Sequence, residues 1–370
     1  MNPVAIPPTV HAAARRFPLL GRPRPACPAL TDRVTEVVDT AEAAAQQAGN
    51  GMAEAAHALN KAALIASDCG LPDLARRWCW QHINVYRRLD TLTALQAGYL
   101  LEPVLNLARL QIRAHHGQPT LDLLHAMFQA VATGTDLILD GHTLPLANLH
   151  GNPNEMRQLR QWTWLQHLSE GIRILALAGR WDDAVKHANA LNGVGLHLME
   201  GRQATVIAHL LHDNPDAAHA ALEGSTVTQP WEHQVYACLA AMCAERALTA
   251  QHVTAIAEQF HSNESAPGYI VYRTRLGLTA ATLISAYHEP TAQDILHQLI
   301  TEALETPDGY AARDVLNHHT NLRIDQSQHE ALTRVVTDAG LNARAIPEPA
   351  HTALSTAVST AEHALTASIA

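Results

Sequence analysis

The stretch Leu177-Ala178-Gly179-Arg180-Trp181-Asp182-Asp183-Ala184-Val185 constrains this chain more than any other. It reads as the tight corner between two antiparallel helices. Gly179 supplies the left-handed residue that ends the first helix, because without a Cβ it meets no steric penalty there. Asp182 and Asp183 fall in the first turn of the second helix, where carboxylates oppose the positive end of the dipole. Ala184 is small enough to let the helices approach. The corner recurs imperfectly as Gly70-Leu71-Pro72-Asp73-Leu74-Ala75, Gly117-Gln118-Pro119-Thr120-Leu121-Asp122 and Asp213-Asn214-Pro215-Asp216-Ala217-Ala218. In those three, proline takes the place of Trp181, a first-turn slot where a missing N–H costs nothing. A helix–turn–helix unit repeated along a chain predicts a stacked helical array.

Composition agrees. The 370 residues are 47% apolar but only 4% aromatic, so the surface they bury is that of close-packed helices rich in alanine and leucine. A net charge of −10 and scattered arginines argue against a nucleic-acid partner, which calls for a basic stripe. Lysine occurs only at Lys61 and Lys186, which reads as the mark of a GC-rich genome. Cys27, Cys69, Cys79, Cys238 and Cys243 form no Cys-x-x-Cys pair and predict buried thiols in a reducing compartment. No apolar run reaches the roughly 20 residues that span a bilayer. Phe17-Pro18-Leu19-Leu20-Gly21 is too short and proline-broken for a secretion signal, so the expected location is the cytoplasm, with no membrane partner.

Three regions are expected. Residues 1–30, with Pro3, Pro7, Pro8, Pro18, Pro23, Pro25 and Pro28, predict a disordered Pro/Arg-rich arm. Residues 31–340 predict the helical repeat domain. Residues 341–370, rich in Ala, Thr and Ser, predict a frayed tail. Within the domain, Thr31 should cap a first helix that Gly49-Asn50-Gly51 stops. Pro103 should kink the helix over 93–116 or delay its start to about Glu102. Asn192-Gly193-Val194-Gly195 interrupts the helix after Trp181, as a kink or a stop. Residues 135–152 contain Leu137-Ile138-Leu139-Asp140-Gly141-His142-Thr143-Leu144, whose Asp-Gly between apolar runs signals a two-residue hairpin; a long loop is the alternative. Asn152-Pro153-Asn154-Glu155 starts the next helix.

The corner Gly179 to Ala184 is similar to the glycine–aromatic–alanine corner of the tetratricopeptide repeat, and Gly70 to Ala75 resembles it with Pro72 in the aromatic's place. The resemblance covers about Met52 to Ser262; Leu168, Ile172 and Leu175 stand where the repeat has its tryptophan, leucine and glycine. The long alanine-rich hairpins are also similar to accessory helical-repeat proteins of actinomycetes. The implied fold is all-α, an irregular right-handed α-α superhelix with a concave groove.

Histidine is abundant, with 24 residues. His209, His212, Asp216 and His219 have spacings that could hold a metal, but Asn214-Pro215 breaks the helix between them and no His-x-x-x-His with an adjacent Glu occurs. No metal or cofactor is therefore expected. Asp182-Asp183 lacks the third acid of a terpene-cyclase cluster. No phosphate loop or nucleophile elbow is present, so no catalytic residue is assigned. Trp162 and Trp164, two apart on a helix, diverge, one towards the core and one towards the groove.

Counted back from each corner, the positions that would face the groove hold His57, Asn60, Gln111, Gln166, Ser169, Arg173 and Gln203, with Lys61 beside them. Amides and a guanidinium at helical spacing could hydrogen-bond the backbone of an extended peptide; an ordinary solvated face is the plainer reading for any one of them. The expected function is a non-enzymatic binding module or scaffold holding a peptide or protein partner. The alternative is an enzyme, or an accessory subunit in a peptide natural product pathway, with a pocket near residues 135–152. Self-association through the convex face, giving a homo-oligomer, is a third.

Overall fold

The computed structural model describes residues 7–47, 51–244, 248–262, 268–318 and 322–369. The first six residues of the arm, the Gly49-Asn50 break, Pro267 and His319 lie outside them. Among the described residues are seventeen helices and four strands of two or three residues, an all-α chain. The helices are α1 (Pro8–Ala14), α2 (Leu30–Gln46), α3 (Met52–Asp68), α4 (Pro72–Tyr86), α5 (Ala94–Arg113), α6 (Gly117–Thr133), α7 (Pro153–Leu177), α8 (Trp181–Ala190) and α9 (Glu200–Leu211). They continue as α10 (Pro215–Glu223), α11 (Pro230–Cys243), α12 (Ala250–His261), α13 (Ile270–Ser285), α14 (Glu289–Glu305), α15 (Gly309–Leu316), α16 (Gln326–Asp338) and α17 (Glu348–Ile369). The strands are β1 (Leu92–Thr93), β2 (Leu137–Leu139), β3 (His142–Leu144) and β4 (Leu149–His150).

The four corners share one backbone design. Each places a left-handed residue after the first helix: Gly70 at φ 74°, His115 at 61°, Gly179 at 69° and Asp213 at 54°. The residue after it, Leu71, His116, Arg180 or Asn214, has ψ between 61° and 68° and caps the next helix. That residue's N–H reaches back to the carbonyl of Ala66, Gln111, Leu175 or His209, at 2.8–3.0 Å. These are the bonds that satisfy a helix's orphan carbonyls. The third corner corrects the sequence expectation: its left-handed residue is His115, and Gly117 is the first residue of α6. The helix before it ends two residues earlier than the glycine suggests, and histidine tolerates the left-handed region better than most residues.

The chain divides into two compact units. One, here the cleft unit, contains Ala29–His167 and Gly340–Ala370. In it α3 packs on α4 and α5 on α6, while α17 lies against α2, α3 and α4. The frayed tail expected at 341–370 is therefore a docked helix. Leu354, Ala357, Val358, Ala361 and Leu365 make its buried stripe, and its small side chains permit close approach to α2 and α3. Thr31 is not a cap, since α2 starts at Leu30 and Thr31 offers its carbonyl to Thr35 within it. Pro103 does not delay α5, which begins at Ala94. Thr93 and Gln96 form a capping box there, and Pro103 is buried inside the helix. The 137–144 hairpin is present, with Asp140 and Gly141 both left-handed (φ 51° and 77°) as its two-residue turn requires.

The other, the arm unit, contains Met1–Pro28 and Leu168–Ala339. Its helices pack as neighbours along the chain, α8 with α9, α9 with α10, α11 with α12 and α13 with α14. The break at Asn192–Gly195 is a stop, as α8 ends at Ala190. Residues 7–28 are not a disordered arm. After α1, the segment runs extended with Phe17, Leu19 and Cys27 buried. Leu19 donates its N–H to Gln203 (2.8 Å) and accepts from the same amide at 2.7 Å. Cys27 donates to Asp308 (2.7 Å) and accepts from the Gly309 N–H (2.8 Å). Gly21 lies so close to Trp231 that a Cβ there would stand 2.3 Å from its Cγ. Helical side chains thus supply the partners that the proline-rich backbone cannot find in itself.

Candidate functional site

Two helix starts built side by side create a cleft in the cleft unit. β1 pairs in parallel with β4, Leu92 opposite Leu149 and Thr93 opposite His150. β1 runs directly into α5 and β4 reaches α7 after two residues, so the two helices start from this bridge. Asn152 accepts from the backbone N–H groups of Asn154 (2.9 Å) and Glu155 (3.0 Å). The Glu155 carboxylate in return accepts from the Asn152 N–H at 2.9 Å, a reciprocal cap that fixes the start of α7.

α5 lines the cleft with Ala94, Leu95, Gly98, Tyr99 and Glu102, one face at helical spacing. α7 supplies Glu155, Gln158, Leu159 and Trp162 at the same spacing. The cleft is open on one side, with a volume of about 380 Å³. Leu95 is 58% exposed, and at Gly98 a Cβ would meet nothing within 4 Å. The walls are apolar and aromatic, and two carboxylates stand among them. Burial pushes the Glu102 carboxyl above its ordinary range, against the hydrogen bond from Asn60 and the charge of Arg109. The Tyr99 phenol is raised by burial, Glu102 and Glu54. Asn60 in turn accepts from Asn106 at 3.2 Å. Tyr86 is fully buried, and its hydroxyl has no hydrogen-bond partner; it too is raised by burial and by Glu102 and Tyr99.

Nothing in this lining is arranged as a nucleophile with its base: it holds no serine, cysteine, histidine or lysine. The thiols elsewhere are held in the neutral form, since burial pushes Cys79, Cys238 and Cys243 up to about 12, far from the thiolate a nucleophile needs. What the cleft can do is bind: an apolar stem against Leu159 and Trp162, and a cation beside Glu102, Glu155 and the aromatic faces.

The eight residues expected to line a groove are divided between the two units. His57, Asn60, Lys61, Gln111 and Gln166 belong to the cleft unit, and Ser169, Arg173 and Gln203 to the arm unit. Of the first group, Asn60 supports the cleft by donating to Glu102. Lys61 is paired with Glu36 of α2, Gln111 accepts from Thr120 at the third corner (3.3 Å), and His57 and Gln166 are not among the cleft lining. In the second group, Ser169 donates to Glu200 (2.8 Å), whose carboxylate also holds Arg22 (3.1 Å). Gln203 is wholly buried and engaged with Leu19 and the Leu198 carbonyl (2.6 Å). It grips extended backbone as its residue type suggested, but the backbone is the chain's own arm.

Tyr99, Glu102, Glu155, Gln158 and Leu159 were not legible as site residues. The available signal was the apolar–acidic face of α5 beside Gly98, hidden by the expectation that Pro103 kinks that helix or delays its start to about Glu102. Trp162 lines the cleft; Trp162 and Trp164 are both half-buried, so neither is the core residue expected of the pair. The candidate metal group separates into His212 with Asp182 (2.7 Å) and His219 with Glu223 (3.1 Å). No family model, curated protein or solved structure matches this chain.

Proposed function

We propose that this protein is a binding module whose cleft between α5 and α7 seats a partner segment through a cationic side chain. The observation that carries the reading is the composition of the cleft: an apolar and aromatic slot with Glu102 and Glu155 facing it. A lysine or arginine stem would lie on Leu159 and Trp162 and bring its charge to a carboxylate. The recurring corner and the pairwise helix packing support a tetratricopeptide-like stack as the framework. Gln203 gripping Leu19 supports the idea that amides on such helices hold extended chain. That the five cysteines form no disulfide among the described residues is in keeping with a cytoplasmic site of action.

Short peptides with and without lysine or arginine, titrated against the full chain, test this. Lysine- or arginine-bearing peptides should bind selectively, and Glu102→Gln should weaken them about tenfold. Gly98→Leu should abolish binding without lowering the melting temperature, because its side chain enters open space. Binding indifferent to peptide charge, or unaltered in both variants, refutes the reading. A small-molecule ligand is the second reading, favoured because the 135–152 insertion frames the cleft through β4. It predicts that a free alkylammonium or guanidinium compound binds, with the same dependence on Gly98, while peptides do not.

A further inference from the structure

The cleft between α5 and α7 carries its two carboxylates at opposite ends, and that layout constrains its occupant further than charge alone does. Ala94, Gly98 and Glu102 fall four residues apart and form one row of α5, with Leu95 and Tyr99 beside it. Glu155 marks the near end of that row. A Cβ built on Gly151 would stand 2.8 Å from Glu155 Oε2 and 3.2 Å from the Ala94 Cβ, so the carboxylate is a neighbour of the first residue of α5. Glu102 marks the far end: the helical rise sets it about 12 Å along α5 from Ala94. The rest of the lining is apolar or aromatic, Leu95, Gly98 and Tyr99 facing Leu159 and Trp162, with Gln158 beside them.

Each carboxylate accepts through Oε2 from a neutral group, the Asn60 amide at Glu102 and the Asn152 N–H at Glu155 (2.9 Å), so neither bond cancels its charge. The Tyr86 hydroxyl is wholly buried and has no hydrogen-bond partner. After burial itself, Glu102 and Tyr99 influence it most, and it backs the Glu102 end with an acceptor still to be filled. Acidic, apolar and acidic positions in a row over about 12 Å match an extended chain. Such a chain rises about 3.3 Å per residue and turns alternate side chains to one face, so residues i, i+2 and i+4 present three side chains over about 13 Å. The open side of the cleft leaves room for the backbone between them.

We propose that the occupant is an extended partner segment with lysine or arginine at i and i+4 and an apolar residue at i+2. The outer pair meets Glu155 and Glu102, and the apolar side chain rests on the wall between them. This rests on the reading of the cleft as the seat of a cationic side chain, and adds to it a second cation and a spacing. The pattern is symmetric and fits either chain direction.

The test is calorimetric titration of the full chain, at fixed ionic strength, with capped glycine–serine peptides of one length. Each carries one leucine and two lysines, the lysines adjacent or at i+2, i+4 or i+7; a second set has either lysine of the i, i+4 peptide changed to glutamine. The i, i+4 peptide should bind at least about tenfold tighter than all the others. Glu102→Gln and Glu155→Gln should each weaken it about tenfold, while glutamine keeps an acceptor oxygen for the Asn60 and Asn152 donors. In either variant the doubly and singly charged peptides should bind alike. Equal affinity at every spacing would mean diffuse attraction and overturns the proposal, as does a Glu155→Gln protein that binds the i, i+4 peptide as wild type does. Tightest binding at i+7 would mean a helical occupant, since seven residues of helix span about 11 Å, and overturns it too. In those outcomes basic peptides still bind and the single-cation reading stands; if no peptide binds, that reading falls and this one with it.

Discussion

Acidification from neutral to about pH 5 should weaken the cleft unit through His82. This residue of α4 is 1% exposed, and neither ring nitrogen has a hydrogen-bond partner. Burial pulls its pKa from the ordinary 6.5 to about 3, so the folded chain keeps the ring neutral while the unfolded chain protonates it near 6.5. Below that point the unfolded state binds the extra proton. Stability is then intact above pH 6.5 and falls as pH drops from 6.5 towards 3, approaching about 1.4 kcal/mol per pH unit. At pH 5 the loss amounts to about 2 kcal/mol, a large share of the roughly 5–15 kcal/mol that holds a domain together. His57, lowered by burial and by Lys61, acts in the same sense. Glu102 acts oppositely, because a carboxyl raised by burial is relieved when it protonates. Urea unfolding followed by circular dichroism at pH 7 and 5 measures the difference. His82→Leu should remove most of it and add about 1 kcal/mol at neutral pH, since two unpaired polar atoms leave the core. Equal stability of the wild-type protein at the two pH values, or an unchanged pH dependence in His82→Leu, would refute the reasoning. So would an NMR titration in which the folded His82 ring protonates above pH 5.

Two further outcomes follow from single buried side chains of the arm unit. Gln203→Leu strands the Leu19 N–H and carbonyl without their partners and should cost about 2–3 kcal/mol, read as a lower urea midpoint and faster tryptic release of the arm; a protected arm would count against the docking. Arg273 is held by Glu302 (2.7 and 2.8 Å) and the Phe260 carbonyl (3.0 Å), over the Phe260 ring at 4.3 Å. Arg273→Met leaves the Glu302 charge behind and should lower stability by about 3–5 kcal/mol, while Glu302→Gln, which keeps one of the two acceptor oxygens, should cost less by the same thermal melt.

Local chemistry settled the corners between the helices of the repeat region. A left-handed glycine followed two residues later by proline or tryptophan needs only backbone sterics and an orphan N–H, and so Gly70, Gly179, Pro72 and Pro215 could be placed from the sequence. Asp213 and the Asp140-Gly141 hairpin turn were legible for the same reason. His115 was not, because where a helix stops depends on how its last turn packs as well as on the nearest glycine. Tertiary structure decided the rest. Pro103 sits within a helix because packing around α5 outweighs one lost hydrogen bond. The arm and the tail carry weak local signals, yet both are docked: Gln203 and Asp308 hold the backbone of one, and α2 and α3 cover the alanine-rich stripe of the other. The cleft was out of reach because it arises where Leu92 meets Leu149, a parallel contact between strands too short to announce themselves. Sequence periodicity reports which face a helix buries; it carries no record of which distant segment will cover that face, since that choice is made by the summed packing of the whole unit.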